Sequence, residues 1–318
     1  MKKKMWLFGL LVVVVVSAFV CVPLLQAVET ANGVEQDACQ RENDQIEARE
    51  LTLEQMQAVL DREGHTFTIG HNPAMQYPLE QLCTLNPDLA GPEDIMLEGD
   101  EMEGLDSLMA LPSAYTGYYT SIKNQGSCGS CWAFAIVGSF EGSYKKKTGS
   151  SPNWSEQYVL DCNPYGYSCS GGWFTAMNMN KSPYGARNES CYPYVAYKKS
   201  CSSSCSYVAR ASSWAYVGSS SGVPSTSSIK QKIYDKGIVA AAVTADSYFQ
   251  AYKSGCYTRN NTGSINHAIL LVGWNDANCS GGAWRLKNSW GTGWGESGLM
   301  WIKYGVSRVG YAACYNNY

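Results

Sequence analysis

The chain has 318 residues, 45% of them hydrophobic and 16% charged, enough for one sizeable domain with accessory segments and too apolar for a disordered chain. A net charge of −3 by itself says little, and no basic–aromatic pattern reads as a nucleic-acid surface. Thirteen cysteines argue against a reducing cytosol and for an oxidising compartment.

Met1 to Lys4 is basic, and Trp6 to Leu25 is almost wholly apolar. With Leu25-Gln26-Ala27 as a small-residue cleavage site, residues 1–27 read as a signal peptide. The apolar run also just reaches bilayer length, so an uncleaved signal anchor is the alternative, and a membrane partner enters only then. Residues 29–110 carry 19 acids against Arg41, Arg49 and Arg62, a net of −16, whereas residues 111–318 carry a net of +10. Residues 28–110 are therefore expected to form an acidic prosegment and linker that binds the basic remainder; a solvated acidic linker is the plainer reading.

Within that segment, Thr52-x-x-Gln55 is a capping box with Leu51 and Met56 placed as a staple, which predicts a helix over about Leu53 to Glu63, stopping at Gly64. Thr66 to Ile69 alternates and predicts a short strand. Residues 86–110, with Pro87, Gly91, Pro92, Gly99 and Gly104 among acids, read as a cleavable linker. The main domain, 111–318, is expected to begin near Leu111-Pro112.

The run Gln125-Gly126-Ser127-Cys128-Gly129-Ser130-Cys131-Trp132-Ala133-Phe134 organises the main domain. A glycine-rich turn leads into an apolar helix with Cys131 in its first turn, where the helix N-terminus favours a thiolate, the nucleophilic form of cysteine. Gln125 can bring an amide donor to the same point. A Cys-x-x-Cys can also be a redox pair or half a zinc site, but no second such pair supplies the remaining ligands. Downstream, Ser155 caps a predicted helix through Cys162. Residues 200–228 are Ser-rich and read as a surface crossover. Ile238–Thr244, His267–Trp274, Trp284–Lys287 and Leu299–Lys303 read as strands of a barrel-like sheet. His65 and His71 fall in the leading segment, so His267 is the one histidine of the main domain.

The Gln125–Phe134 block, Asn266-His267-Ala268 136 residues after Cys131, Lys287-Asn288-Ser289-Trp290-Gly291, and Gly293 to Gly295 together resemble the papain-like cysteine proteases. Phe67-Thr68-Ile69-Gly70-His71-Asn72 and Pro78 to Gln81 look like part of that family's propeptides, although Ala74 and Gln76 depart from the pattern. The resemblance implies an α+β fold, a helical lobe and a β-barrel-like lobe with Cys131 and His267 on opposite walls of a cleft. It implies an endopeptidase made as a zymogen, acting on peptide or protein substrates with its own prosegment as inhibitor, and needing no cofactor or metal. Cys131 would be the nucleophile, His267 the general acid and base, Asn288 its orienter, Trp290 a cover over that bond, and Gln125 an oxyanion donor. Gly171 and Gly172 would pair with extended substrate, and Trp173, Ala242 and Ala268 would line a pocket preferring an apolar residue one before the scissile position.

The same resemblance implies disulfides Cys128–Cys169, Cys162 with Cys201 or Cys205, and Cys256–Cys314, which leaves one of Cys191, Cys201, Cys205 and Cys279 over. Cys39 with Cys83 is a further possible pair. A secreted or lysosome- or vacuole-like location and a monomer are expected. The rival functions are a non-catalytic binding protein of this fold, which should have lost Cys131, His267 or Asn288, and a thiol oxidoreductase using Cys128 and Cys131, which needs a free Cys128.

Overall fold

The computed structural model describes residues 51–91 and 111–318. The expected signal segment, Cys39 and linker residues 92–110 lie outside the described residues. The chain divides into units Met1–Thr52 and Leu53–Tyr318, and the second carries every element below. The helices are α1 (Leu53–Arg62), α2 (Leu79–Leu82), α3 (Cys131–Thr148), α4 (Glu156–Cys162), α5 (Thr226–Lys236) and α6 (Ser247–Gln250). The strands are β1 (Thr68–Ile69), β2 (Ala114–Thr116), β3 (Ser213–Tyr216), β4 (Val239–Val243), β5 (Tyr252–Ser254), β6 (Cys256–Tyr257), β7 (His267–Asn275), β8 (Ala283–Lys287), β9 (Leu299–Lys303) and β10 (Tyr311–Asn317).

α3 is apolar around its whole circumference for its first half, and every residue from Cys131 to Ser143 is buried. Such a helix belongs inside a core rather than on its rim. It ends in Lys145, Lys146 and Lys147, which complement the helix dipole, and at Gly149 in the left-handed conformation with φ 74°. α4 starts where Ser155 Oγ accepts the Tyr158 N–H at 3.0 Å. These helices build one apolar core, around Trp132, Phe140, Trp154, Leu160 and Phe174.

The second core lies within an eight-stranded sheet ordered β3-β10-β4-β7-β8-β9-β6, with β2 on the far half of β7. β4 and β7 pair antiparallel, setting Ala242 opposite Ala268 and Val243 opposite His267. The α+β class and the two-core arrangement therefore agree with the sequence expectation. The Ser-rich stretch differs: it contains β3 and the start of α5, and disulfides Cys162–Cys201 and Cys191–Cys205 pin it down.

Two cysteine expectations are corrected. Cys256 is bonded to Cys279, not to Cys314. Cys256 lies in edge strand β6 beside the turn Asn278–Ser280, whereas Cys314 is buried in β10, between β3 and β4 near the opposite end of the strand order. A disulfide joins only Cα atoms about 4.4–6.8 Å apart. Cys191, Cys201, Cys205 and Cys279 are each bonded within the main domain, so none of those four is left over. Cys83 is a buried thiol, and Cys39, its possible partner, lies outside the described residues.

Among the described residues, 51–91 dock on the sheet through apolar contact more than through charge. Phe67 is fully buried, its ring 4.7 Å from that of Tyr257, and Met56, Leu60, Ala74 and Leu82 join the core that holds Phe249, Tyr252 and Trp294. β1 pairs with β5, and Gln250 Nε2 donates to the carbonyls of Ala74 and Tyr77 at 3.1 and 3.0 Å. Among the described residues, Glu63 with Arg259 at 2.8 Å is the one ion pair between this segment and the main domain. Most of the segment's 19 acids lie outside the described residues.

Candidate active site

Cys131 opens α3 and is fully buried. The backbone N–H groups of Ala268, Thr84, Trp132 and Leu85 face its sulfur and act on its pKa. Burial raises the thiol pKa, and those four donors pull it back down. The Ala268 contact brings the start of β7, and with it His267, to the nucleophile.

His267 is the first residue of β7 and has no exposed surface. Its Nε2 lies 2.8 Å from Asn288 Oδ1. The same oxygen accepts the Ser289 N–H at 2.8 Å, which fixes which end of the amide faces the imidazole. An oxygen can only accept, so Nε2 carries the proton. Nδ1 is buried without a partner and is the nitrogen left for a proton from a thiol. Desolvation pushes the His267 pKa down to about 4, against the upward pull of the Asn288 bond. Trp290 covers this pair, its ring 4.7 Å from the imidazole, and Phe249 stands edge-on at 6.1 Å.

Gln125 is fully buried in the turn before α3. Its Nε2 donates to the carbonyls of Leu82 and Cys128, each at 3.0 Å, while its Oε1 accepts the Ser289 hydroxyl at 2.7 Å. The Ser289 anchor is absent from the sequence reading, although it sits inside the Lys287–Gly291 motif. It holds the amide so that its donor end points into the cleft.

Gly171, Gly172 and Trp173 line the cleft on the Cys131 side, beside Trp132. A Cβ on Gly172 would lie 2.5 Å from the Trp132 ring, so this position admits no side chain and leaves its backbone open to a partner. That partner is present. Leu85 bridges Gly172 in parallel, Asn86 N–H donates to the Gly172 carbonyl at 3.2 Å, and Leu85 N–H donates to the Asn266 carbonyl at 2.9 Å. Leu85 is buried in the same apolar cluster as Trp173, Ala242 and Ala268. Thr84 Oγ1 donates to the Gly129 carbonyl at 2.5 Å. Residues 82–86 thus lie across the cleft in extended form, touching Gln125, Cys131 and Gly172 in turn.

Cys128 is bonded to Cys169, which ties the nucleophile turn to the glycine wall and denies the dithiol pair an oxidoreductase needs. Among the described residues, no group of three or more His, Cys, Asp or Glu side chains is placed to hold a metal. Nearby, Lys123 Nζ meets Glu156 at 2.7 Å and Glu141 at 3.3 Å. Glu141 also accepts the Thr120 hydroxyl and the Trp154 N–H, whereas Glu156 Oε2 has no partner. Two buried carboxyls thus share one ammonium. Burial, with Glu141 adding to it, raises Glu156 to about 7 against the pull of Lys123, and burial lowers Lys287 to about 8. This cluster was not read from the sequence, because its members are scattered over 160 positions.

Residues 113–316 match the sequence model of the papain family cysteine proteases. Ananain of Ananas comosus is 32% identical over 265 residues, covering 78% of this chain and 72% of its own length. The cathepsin L-like proteinase of Fasciola hepatica is 34% identical over 247 residues, covering 74% and 73%. Among solved structures, the Ananas comosus bromelain protease in complex with the E64 inhibitor superposes with TM-score 0.59 at 34% identity, over 65% of this chain and 99% of that one. Digestive procathepsin L2 from the larval midgut of Tenebrio molitor superposes with TM-score 0.71 at 28% identity, over 92% and 96%.

Proposed function

The chain belongs to the papain family of cysteine proteases, and from that premise we propose an endopeptidase made as a zymogen, with residues 28–110 as inhibitory prosegment and linker and 111–318 as the peptidase domain. Cys131 Sγ attacks the scissile carbonyl as the thiolate, and the resulting oxyanion is held by Gln125 Nε2 and the Cys131 N–H. His267 protonates the leaving amine and then takes a proton from the water that releases the acyl group. Asn288 keeps the imidazole in the tautomer this requires.

The observation that carries the reading is the peptide already lying in the cleft. Leu82 offers its carbonyl to Gln125, Leu85 pairs with Gly172, and the backbone N–H groups of Thr84 and Leu85 reach Cys131. A cleft that binds extended backbone in this way suits peptide substrates, and the segment that fills it suits an inhibitor. The buried Leu85 beside Trp173, Ala242 and Ala268 supports a preference for an apolar side chain in that pocket. The disulfides support an oxidising location, secreted or lysosome- or vacuole-like, and we take the enzyme as a monomer.

The test is labelling of the acid-treated chain with a peptidyl epoxide, followed by peptide mapping and a peptidase assay. We expect label on Cys131 and neither label nor hydrolysis with Cys131→Ala. Label on a different cysteine, or hydrolysis by Cys131→Ala, would overturn the assignment.

A further inference from the structure

Three helices of the main domain begin on a serine, and two of them obey the usual rule for that position. Ser155 Oγ accepts the Tyr158 N–H at 3.0 Å ahead of α4, and Ser225 Oγ accepts the Ser228 N–H at 3.1 Å ahead of α5. Both serines are extended, with ψ 114° and 147°. Ser130, ahead of α3, caps nothing: its ψ is 19° and its side chain takes no N–H of the first turn. Its hydroxyl lies instead 2.6 Å from the hydroxyl of Tyr194. Tyr194 Oη donates to the Gln125 carbonyl at 2.9 Å, and a carbonyl can only accept. The one tyrosine proton is therefore committed, and Ser130 is the donor toward Tyr194, with the Cys128 carbonyl a longer second acceptor at 3.4 Å.

Tyr194 is itself held in place. Its N–H donates to Glu189 Oε1 at 2.8 Å, the Val195 N–H donates to Gln157 Oε1 at 2.9 Å, and its ring stands edge-on to Phe134 at 4.9 Å. The uncapped turn leaves a donor open. The Ala133 and Phe134 N–H groups go to the Ser130 carbonyl at 2.8 and 3.2 Å. The Trp132 N–H is the one a serine cap could still take, and among the described residues no backbone carbonyl or serine oxygen takes it. It follows Cys131 directly in the chain and faces that sulfur. The start of a helix favours negative charge, and an N–H left open there serves a thiolate.

We propose that Tyr194 is a positioning residue for the nucleophile: its hydroxyl holds the Ser130 hydroxyl off the start of α3, so that the Trp132 N–H stays with the Cys131 sulfur. The inference rests on the reading of Cys131 as nucleophile given above. Without the tyrosine hydroxyl, Ser130 is free to turn extended and cap its own helix, as Ser155 and Ser225 do. The helix then gains a hydrogen bond and the thiolate loses one. Removing that hydroxyl also releases the Gln125 carbonyl, so the test has to turn on Ser130.

The full chain and its variants are processed with an added protease, and the rate of Cys131 alkylation by iodoacetamide is followed against pH, beside peptidase kinetics. Tyr194→Phe keeps the ring against Phe134. It should move the midpoint for thiolate formation to higher pH and lower kcat/KM about tenfold, the low end for one hydrogen bond to a charged group. In a Ser130→Ala background the same substitution should leave the midpoint where Ser130→Ala alone puts it, because alanine cannot cap. Ser130→Ala alone should keep the wild-type midpoint, and it decides the matter if Tyr194→Phe folds poorly. A fall in kcat/KM at an unchanged midpoint, an equal rise of the midpoint in both backgrounds, or a raised midpoint in Ser130→Ala would overturn the role of Tyr194. Hydrolysis that survives in Cys131→Ala would instead overturn the nucleophile reading beneath it.

Discussion

Gln125 Nε2 donates to the Leu82 carbonyl at 3.0 Å, and Ser289 Oγ donates to the other end of the same amide at 2.7 Å. The donor proposed for the oxyanion is therefore filled by the chain's own backbone. Leu82 and Gln125 are 43 positions apart in sequence, and Leu82 shares a core with Leu60 and Phe67 from earlier in the segment. On the proposed reading, one contact links inhibition to catalysis: whatever removes Leu82 also frees the amide for substrate.

The first prediction concerns that amide. Gln125→Ala should lower kcat by about one to three powers of ten, the range for a lost oxyanion donor, with a smaller change in KM. Ser289→Ala leaves the donor in place but removes its anchor. It should lower kcat by less, about three- to thirtyfold, with KM unchanged, since misorientation costs transition-state contact first. Steady-state kinetics on the processed enzyme decide it. Equal kcat for wild type and Gln125→Ala would remove Gln125 from the chemistry.

Much of this site was legible in the sequence for local reasons. The apolar run after Gly129 fixes a core helix with Cys131 at its start, and the β-branched and aromatic run at Leu299–Lys303 defines a strand with the same bounds in the structure. His267 and Asn288 belong to motifs whose spacing survives any change in the loops between them. The Cys279 partner of Cys256 was not legible, because sequence spacing does not say which turn folds beside an edge strand. β10 was missed as well: Ala312, Ala313 and Cys314 are small and carry no alternation, and pairing with β3 and β4 makes the strand. Charge counts pointed to a docked prosegment but placed no contact, since counts carry no distances, and most of the acids counted lie outside the described residues.

The second prediction concerns that force. Phe67→Ala in a separate 29–110 peptide should weaken inhibition of the mature enzyme by about two to three powers of ten, the usual cost of emptying a buried phenylalanine site. Glu63→Gln breaks a partly exposed ion pair and should cost less than about tenfold. Inhibition constants at low and high salt separate the two. A larger loss for Glu63→Gln than for Phe67→Ala would restore electrostatic control.

The third prediction uses the shared ammonium of Lys123. Glu156 is raised to about 7 in the folded protein from an ordinary value of 4.5. The folded state therefore holds the proton more tightly between those values, so stability is greatest below about pH 4.5 and falls as pH rises toward 7. The whole interval is worth at most about 3 kcal/mol, less whatever Lys123 offsets. Glu156→Gln should flatten this slope, measured by urea unfolding from pH 4.5 to 7 on the Cys131→Ala background. Parallel slopes in the two proteins would mean that Glu156 stays ionised throughout.

The last prediction concerns how acid acts on the closed cleft. With the prosegment docked, His267 is held at about 4, against an ordinary 6.5, by loss of solvent. Taken alone, this makes docking exclude a proton. Affinity would be full above pH 6.5 and would fall about tenfold per unit as pH drops toward 4, some 300-fold over the range. The wild-type enzyme has a compensating group. In the open site the imidazole gains a proton and the thiol gives one up, so the pair holds the same number of protons open or closed. The catalytic pair then contributes almost no pH dependence to release, and acid must act through carboxylates elsewhere on the prosegment. Cys131→Ala removes the compensation. Binding of the 29–110 peptide should therefore depend on pH more steeply in mature Cys131→Ala, released with an added protease, than in wild type between pH 6.5 and 4. Calorimetric titration of both proteins checks this. Identical pH profiles would show that His267 does not change its protonation when the prosegment closes over it.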